Sequence, residues 1–125
     1  MTRLELAEIM LADARWNLQG ARYRSAISRA YFTCYHAARA CLEKRGIILT
    51  GRDPHSGTSS LFGLYLVVPG LLPRWMGRSL SDLIKQRIEA DYQPTATITE
   101  NMTKTTVVQA ERFLQEVQDR WDRLQ

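Results

Sequence analysis

Apolar residues recur three and four positions apart in the first two long segments of the chain, as they do in helices that bury one face. In the first segment these positions are Leu4, Ala7, Leu11, Ala14 and Leu18. In the second segment, residues 21–45, they are Ile27, Ala30, Cys34, Ala37 and Cys41, with a second row of Tyr31, Tyr35, Ala38 and Leu42 beside them. The first helix is therefore predicted to bury a narrow stripe, and the second a wide face.

Local sequence predicts where these two helices begin and end. Thr2 followed by Glu5 matches a capping box, in which each side chain bonds to the other residue's backbone N–H. Gly20 and Gly46 are predicted to end the first and second helices, because glycine readily follows a last helical turn. Phe32 lies on the polar face of the second helix, where it marks either a contact with another chain or a single exposed aromatic ring.

The second half of the chain predicts a loop, a short helix and two more long helices. Residues 50–60 (TGRDPHSGTSS) have the composition of a loop. The apolar run at residues 61–68 (LFGLYLVV) is predicted to be a short helix, because long helices flank it and no partner strand is evident. The next helix is predicted to start near Pro73 and to end before Pro94. The last helix is predicted to open at the capping-box match of residues 97–100.

Together these segments predict an all-α fold: an up-and-down helical bundle of four long helices plus one short helix. The 125 residues fit a single domain, residues 1–125. Apolar side chains form 45% of the chain, enough to build a core.

Two charged residues interrupt the apolar stripe of the third long helix, in the stretch LIKQRIEADYQP. On a helical wheel, Arg87 and Asp91 fall within about 20° of Leu80, so they are predicted to face inward or into a cleft. Being four residues apart, they can pair with each other, and Arg29 and Tyr31 of the second helix are candidates to join them. A structural interpretation makes the pair a lock on helix register; a functional one makes Arg87 a phosphate ligand that Asp91 orients.

Composition limits the chemistry that the chain can perform. The net charge of +4 permits contact with nucleic acid or an acidic partner. No apolar run is long enough to cross a bilayer and no signal peptide is evident, so a cytoplasmic protein is expected. Cys34 and Cys41 lie about 10 Å apart on one helix, too far for a disulfide. No metal or cofactor is predicted, because inward Glu-x-x-His pairs, zinc-type cysteine spacing and a phosphate-binding loop are all missing.

Three stretches of the sequence resemble HEPN-domain proteins. Residues 26–32 (AISRAYF) are similar to the second helix of that family, residues 87–92 (RIEADY) to its late arginine motif, and residues 109–114 (QAERFL) to its last helix. The stretches occur in the family's order and cover nearly the whole chain. The resemblance implies a HEPN-like helical bundle that forms a homodimer.

The resemblance also implies a function. Many HEPN proteins are metal-independent endoribonucleases, and many are toxins paired with a small nucleotidyltransferase antitoxin. Their motif arginine stabilises charge on phosphorus and a following histidine moves the proton. Here Arg87 matches the arginine, Asp91 would orient it, and Tyr92 occupies the position of the histidine, although an ordinary phenol has a pKa of about 10.

The residues expected to contact an RNA substrate are Arg29, Tyr31 and His36 of the second helix. His36 and His55 are the two histidines of the chain, and either would have to enter the cleft through the tertiary fold to replace the motif histidine. Because that histidine is missing, a second hypothesis is a non-catalytic helical module that partners a small nucleotidyltransferase, which would modify Tyr92. A third is a plain homodimeric scaffold.

Overall fold

The structure is a computed structural model that describes residues 1–49 and 54–125, and these residues form an all-α bundle. The five α-helices are α1 (Arg3–Gln19), α2 (Tyr23–Lys44), α3 (Pro54–Phe62), α4 (Arg74–Tyr92) and α5 (Glu100–Arg120). A π-helical segment, Gly63–Val67, continues α3, and a 3-10 turn, Trp121–Leu124, follows α5. Within the described ranges no residue is in a strand. The prediction of four long helices and one short one is confirmed.

The predicted capping box is present at the start of α1 but not at the start of α5. Thr2 accepts from the Glu5 N–H at 3.0 Å while Glu5 accepts from the Thr2 N–H at 3.3 Å, so the first capping box is confirmed. The box at residues 97–100 is wrong, because Thr99 caps α5 by accepting from the Met102 N–H at 3.1 Å. The helix therefore starts later, after a turn in which the Ala96 N–H bonds to the Gln93 carbonyl.

Residues 54–60, which were predicted to be a loop, form most of α3 instead; residues 50–53 of that prediction lie outside the described residues. Pro54 occupies the first helical position, where its missing N–H leaves no carbonyl unsatisfied. The Thr58 hydroxyl bonds to the Pro54 carbonyl, and both Thr58 and Phe62 are buried. A segment rich in Ser, Thr and Gly thus becomes helical because its few larger side chains pack on the core. The helical prediction for residues 61–68 is confirmed through Val67.

The second helix forms the centre of the bundle and contacts every other helical element. Small residues on α2 let its neighbours approach closely, and Ala30, Cys34, Ala37, Ala38 and Cys41 are completely or almost completely buried. The wide buried face predicted for α2 is therefore confirmed. Both thiols are free, and burial raises the pKa of Cys41 to about 12 and that of Cys34 further, so they are core groups and not nucleophiles.

One arginine at the start of α2 fixes the end of α4. The guanidinium of Arg24 donates to five carbonyl oxygens at 2.8–3.4 Å, those of Glu89, Ala90, Gln93, Pro94 and Ala96. The last carbonyls of a helix have no partner within it, and a cation there also interacts favourably with the helix dipole. Arg24 therefore ends α4 before Pro94, as the sequence predicts, and holds the following turn against α2.

Replacing Arg24 with alanine is expected to lower the free energy of unfolding by about 2 kcal/mol, because several carbonyl oxygens lose a charged donor. Chemical denaturation followed by circular dichroism measures the change. Arg22→Ala is the matched control: Arg22 is exposed and is expected to change the same quantity by less than about 0.5 kcal/mol. Equal stabilities for the two variants would contradict the role given to Arg24.

Candidate functional site

Arg87 and Asp91 lie where α4 packs against α2. The Arg87 Nε donates to Asp91 Oδ2 at 3.0 Å, and the Ser28 hydroxyl of α2 donates to the same oxygen at 3.2 Å. The two charged side chains retain 20% and 26% of their exposure. The pair is thus neither sealed in the core nor free in solvent, and Ser28 ties it to the neighbouring helix.

Three aromatic rings surround the Arg87 guanidinium. Its central carbon lies 5.7 Å from the centroid of Tyr31, 5.4 Å from that of Phe32 and 5.4 Å from that of Tyr92. Cation–π attraction at these distances holds the flat guanidinium in place. Only Nε bonds to Asp91, and within residues 1–49 and 54–125 the terminal nitrogens have no hydrogen-bond partner. A guanidinium that is held through Nε, with both terminal nitrogens available as donors, can bind a phosphate.

His55 reaches the same aromatic cluster from α3. Its Nδ1 is 2.5 Å from the hydroxyl of Tyr31, and its ring lies 4.6 Å from that of Tyr35 and 6.0 Å from that of Phe32. The ring of Tyr31 contacts Arg87 and its hydroxyl contacts His55. Tyr31 is only 1% exposed, so it lies beneath these side chains and not at the surface of the site. An imidazole therefore shares two ring contacts with Arg87, although 32 positions separate them in the sequence.

His36 lies one helical turn beyond Phe32 on α2. Its ring stacks on that of Phe32 at 6.1 Å, and its Nδ1 is 3.2 Å from a terminal nitrogen of Arg3. Burial lowers the pKa of His36 from its usual value, and the positive charges of Arg3 and Arg39 lower it further. His36 is therefore neutral at pH 7 and accepts the hydrogen bond from Arg3.

Arg29 and Tyr92 occupy the two exposed edges of the site. Arg29 is exposed and points a terminal nitrogen toward the Met10 sulfur at 3.5 Å. It makes no ion pair with Asp91 in the described part of the chain, but both residues line a shallow groove of about 310 Å³ with Ser28 and Phe32. Tyr92 is 66% exposed in the last turn of α4.

Several contributors to this site could not be identified from the sequence. Ser28 and Phe32 lie within the stretch that resembles HEPN proteins, but helical periodicity assigned neither a role in the site. Phe32 is half-buried in the aromatic cluster and is not the single exposed ring that was one of its two interpretations. His55 had been placed in a loop, where no periodicity relates it to Arg87.

The described residues give two further findings about chemistry and location. Within residues 1–49 and 54–125, no group of three or more His, Cys, Asp or Glu side chains is arranged to hold a metal ion. None of the helices in that part of the chain is long and apolar enough to cross a membrane.

Comparison with known proteins identifies the family. The model of the HEPN domain matches residues 1–120. The chain is 31% identical over 114 residues to a Methanocaldococcus jannaschii protein named "putative toxin", covering 91% of this chain and 82% of that protein. It is 33% identical over 113 residues to a UPF0332 protein of Gloeobacter violaceus, covering 90% of this chain and 87% of that protein. A UPF0332 protein of Thermotoga maritima is 26% identical over 108 residues, which cover 86% and 80% of the two chains. The chain belongs to the HEPN domain family.

Proposed function

We propose that this HEPN protein acts on RNA as the toxin-like member of a toxin–antitoxin or defence pair. The observation that carries the proposal is the Arg87 guanidinium, fixed through Nε by Asp91 and by aromatic rings, whose terminal nitrogens have no hydrogen-bond partner among the described residues. The name of the Methanocaldococcus jannaschii relative supports the toxin part of the proposal. The net charge of +4 suits a polyanionic substrate.

The proposed reaction is metal-independent cleavage of the RNA backbone. The ribose 2′-oxygen bonds to the neighbouring phosphorus as the bond from phosphorus to the 5′-oxygen breaks, which leaves a cyclic phosphate and a free 5′-hydroxyl. Arg87 stabilises the negative charge that develops on the phosphoryl oxygens. Tyr92 gives a proton to the leaving 5′-oxygen and recovers one from the 2′-hydroxyl, so the enzyme returns to its starting state.

Two further features near Arg87 support proton transfer at this site and the formation of a homodimer. His55 places an imidazole within the aromatic cluster, beside two of the rings that contact Arg87, and an imidazole is a common proton-transfer group in catalysis. Ile88 and Tyr92 expose 43% and 66% of their surface beside Arg87. We assign this exposed apolar edge to a homodimer contact that brings two copies of the motif to one groove.

The alternative function is that of a non-catalytic module that partners a small nucleotidyltransferase antitoxin. The exposure of Tyr92 favours it, because a phenol at the open end of α4 is accessible to a second enzyme. In that case a nucleotidyl group joins the Tyr92 oxygen as the bond between the α- and β-phosphates of ATP breaks, with release of pyrophosphate. Modification beside Arg87 would block the phosphate site.

Arg87→Ala is expected to reduce RNA cleavage in EDTA by a factor of about 100 or more, because it removes a positioned charge from the transition state. Tyr92→Phe should reduce the rate by about 100-fold as well, since it keeps the ring and removes the proton. Gel analysis of end-labelled RNA, with detection of the cyclic phosphate end, measures both.

Arg78→Ala provides the matched control, because Arg78 is an exposed arginine on the same helix and lies outside the aromatic cluster. It should cleave at the rate of the unmodified protein. Identical cleavage patterns and rates for the Arg87 and Arg78 variants would show that Arg87 does not take part.

The same Arg87→Ala variant is expected to lose only about 1 kcal/mol of stability, because a partly exposed pair in adjacent turns contributes little. A pair that serves only as a register lock in a scaffold would cost about 3–5 kcal/mol when broken. Denaturation of the variant beside Arg78→Ala measures the difference. A loss in the larger range with no effect on RNA would support the scaffold hypothesis.

Incubation with a small nucleotidyltransferase of the antitoxin type and ATP is expected, on the alternative function, to increase the mass of the chain by one or more adenylyl groups. Peptide mapping should place the modification on Tyr92, and Tyr92→Phe should remain unmodified. Tyr65, which is 44% exposed on the π-helical segment, provides the control phenol. An unchanged mass, or modification of Tyr65→Phe and Tyr92→Phe to the same extent, would count against Tyr92 as the target.

A further inference from the structure

A second group of basic side chains lies around α2, one to two turns beyond Phe32, and includes residues of both α1 and α2. Arg3 of α1 pairs with Glu43 and contacts His36, and Arg39 lies beside them. Arg39 donates to the hydroxyl of Tyr35 at 3.0 Å. We call Arg3, His36 and Arg39 the distal basic cluster.

Arg39 has no acidic partner among the described residues. No carboxylate there lies within ion-pair distance of it, and Glu43, one turn further along α2, is paired with Arg3. Its Nε is buried and has no hydrogen-bond acceptor. A buried donor without an acceptor on a charged group is unfavourable, so Arg39 is a cation that the described residues leave poorly compensated.

The two basic sites are joined by one strip of α2. At 100° per residue, Ser28, His36, Arg39 and Glu43 all fall within about 40° of Phe32. Phe32 contacts Arg87 on one side and stacks on His36 on the other, at an interplanar angle of 28°. The order of groups along this side of α2 is therefore the Arg87 cation from α4, the ring pair of Phe32 and His36, and the Arg39 cation.

The spacing along this strip fits a nucleic-acid strand. Arg39 lies seven residues beyond Phe32, which corresponds to about 10 Å along the helix axis. That distance spans about three stacked nucleotides at about 3.4 Å each. Proteins that bind single strands combine basic groups for the phosphates with aromatic rings for the bases, whereas an acidic peptide would leave the rings unused.

We propose that the distal basic cluster is a second phosphate subsite, which binds the same single-stranded RNA whose scissile phosphate contacts Arg87. The proposal rests on the proposed function for the choice of RNA as ligand. It adds that substrate recognition extends along α2 and that Arg39 is the main ligand of the distant phosphate.

Fluorescence anisotropy with labelled single-stranded RNAs of three and eight nucleotides, in EDTA, tests the subsite. Arg39→Gln is expected to weaken binding of the octamer by about tenfold and that of the trimer by less. The slope of log affinity against log salt for the octamer should fall by about 0.7, the value for one lost phosphate contact on a single strand. Arg39→Lys should lie between Arg39→Gln and the unmodified protein.

Controls separate the subsite from folding and from catalysis. Arg78→Gln removes the same charge from an exposed position and should bind both RNAs as the unmodified protein does. Arg3→Gln is a second variant of the cluster that should also weaken octamer binding, should Arg39→Gln fail to fold. If the folded Arg39 and Arg78 variants bind the octamer equally, the subsite is overturned.

Cleavage assays on the same variants distinguish failure of the subsite from failure of the proposed function. Loss of cleavage by Arg87→Ala, together with unchanged octamer binding by Arg39→Gln, would support the proposed function and contradict the subsite. Weakened octamer binding by Arg39→Gln, with unchanged cleavage by Arg87→Ala, would support the subsite and contradict the catalytic role of Arg87. Equal competition by a polyglutamate peptide would overturn RNA as the occupant.

Discussion

The fixed position of α4 against α2 is the constraint on which every part of the candidate site depends. At the end of α4 the guanidinium of Arg24 holds the carbonyls of the last turn and of the turn that follows. Ser28 of α2 donates to Asp91 across the same contact, and Arg87 donates to the same oxygen from within α4. A rotation of α4 would separate Arg87 from the rings of Tyr31 and Phe32, so the orientation of the Arg87 guanidinium is a property of the helix pair.

The parts of the structure that depend on local sequence could be predicted. Helical periodicity located the long helices, and the Thr2 capping box fixed one start, because both depend on residues close in the chain. Periodicity also placed Arg87 and Asp91 on the side of α4 that faces the bundle. Their partial exposure could not be predicted, since it depends on how far α2 and α4 separate at that depth, and this distance is set by side chains on both helices.

The parts that depend on tertiary contacts could not be predicted in the same way. Residues 54–60 read as a loop because Ser, Thr and Gly dominate them, but Thr58 and Phe62 obtain enough burial in the bundle to hold a helix there. That helix carries His55 to Tyr31, a contact across 24 positions. Arg24 gave no signal because its five acceptors are backbone carbonyls, which every sequence has. Likewise, Thr97 and Thr99 carry the same side chain, and only the turn held by Arg24 favours the later cap.

The two histidines of the chain differ in what their surroundings allow them to do. His36 is half-buried beside two arginines, and burial together with their charges lowers its pKa, which disfavours the imidazolium form that acts as a general acid. Its Nδ1 is also occupied by Arg3, so it is a poor base as well. A bound phosphate would change this balance, because the anion would stabilise the imidazolium and raise the pKa. By linkage, protonation of His36 would then strengthen phosphate binding as the pH falls. We therefore expect His36 to respond to a bound anion, and we expect the proposed proton transfers to involve the groups around Arg87 instead.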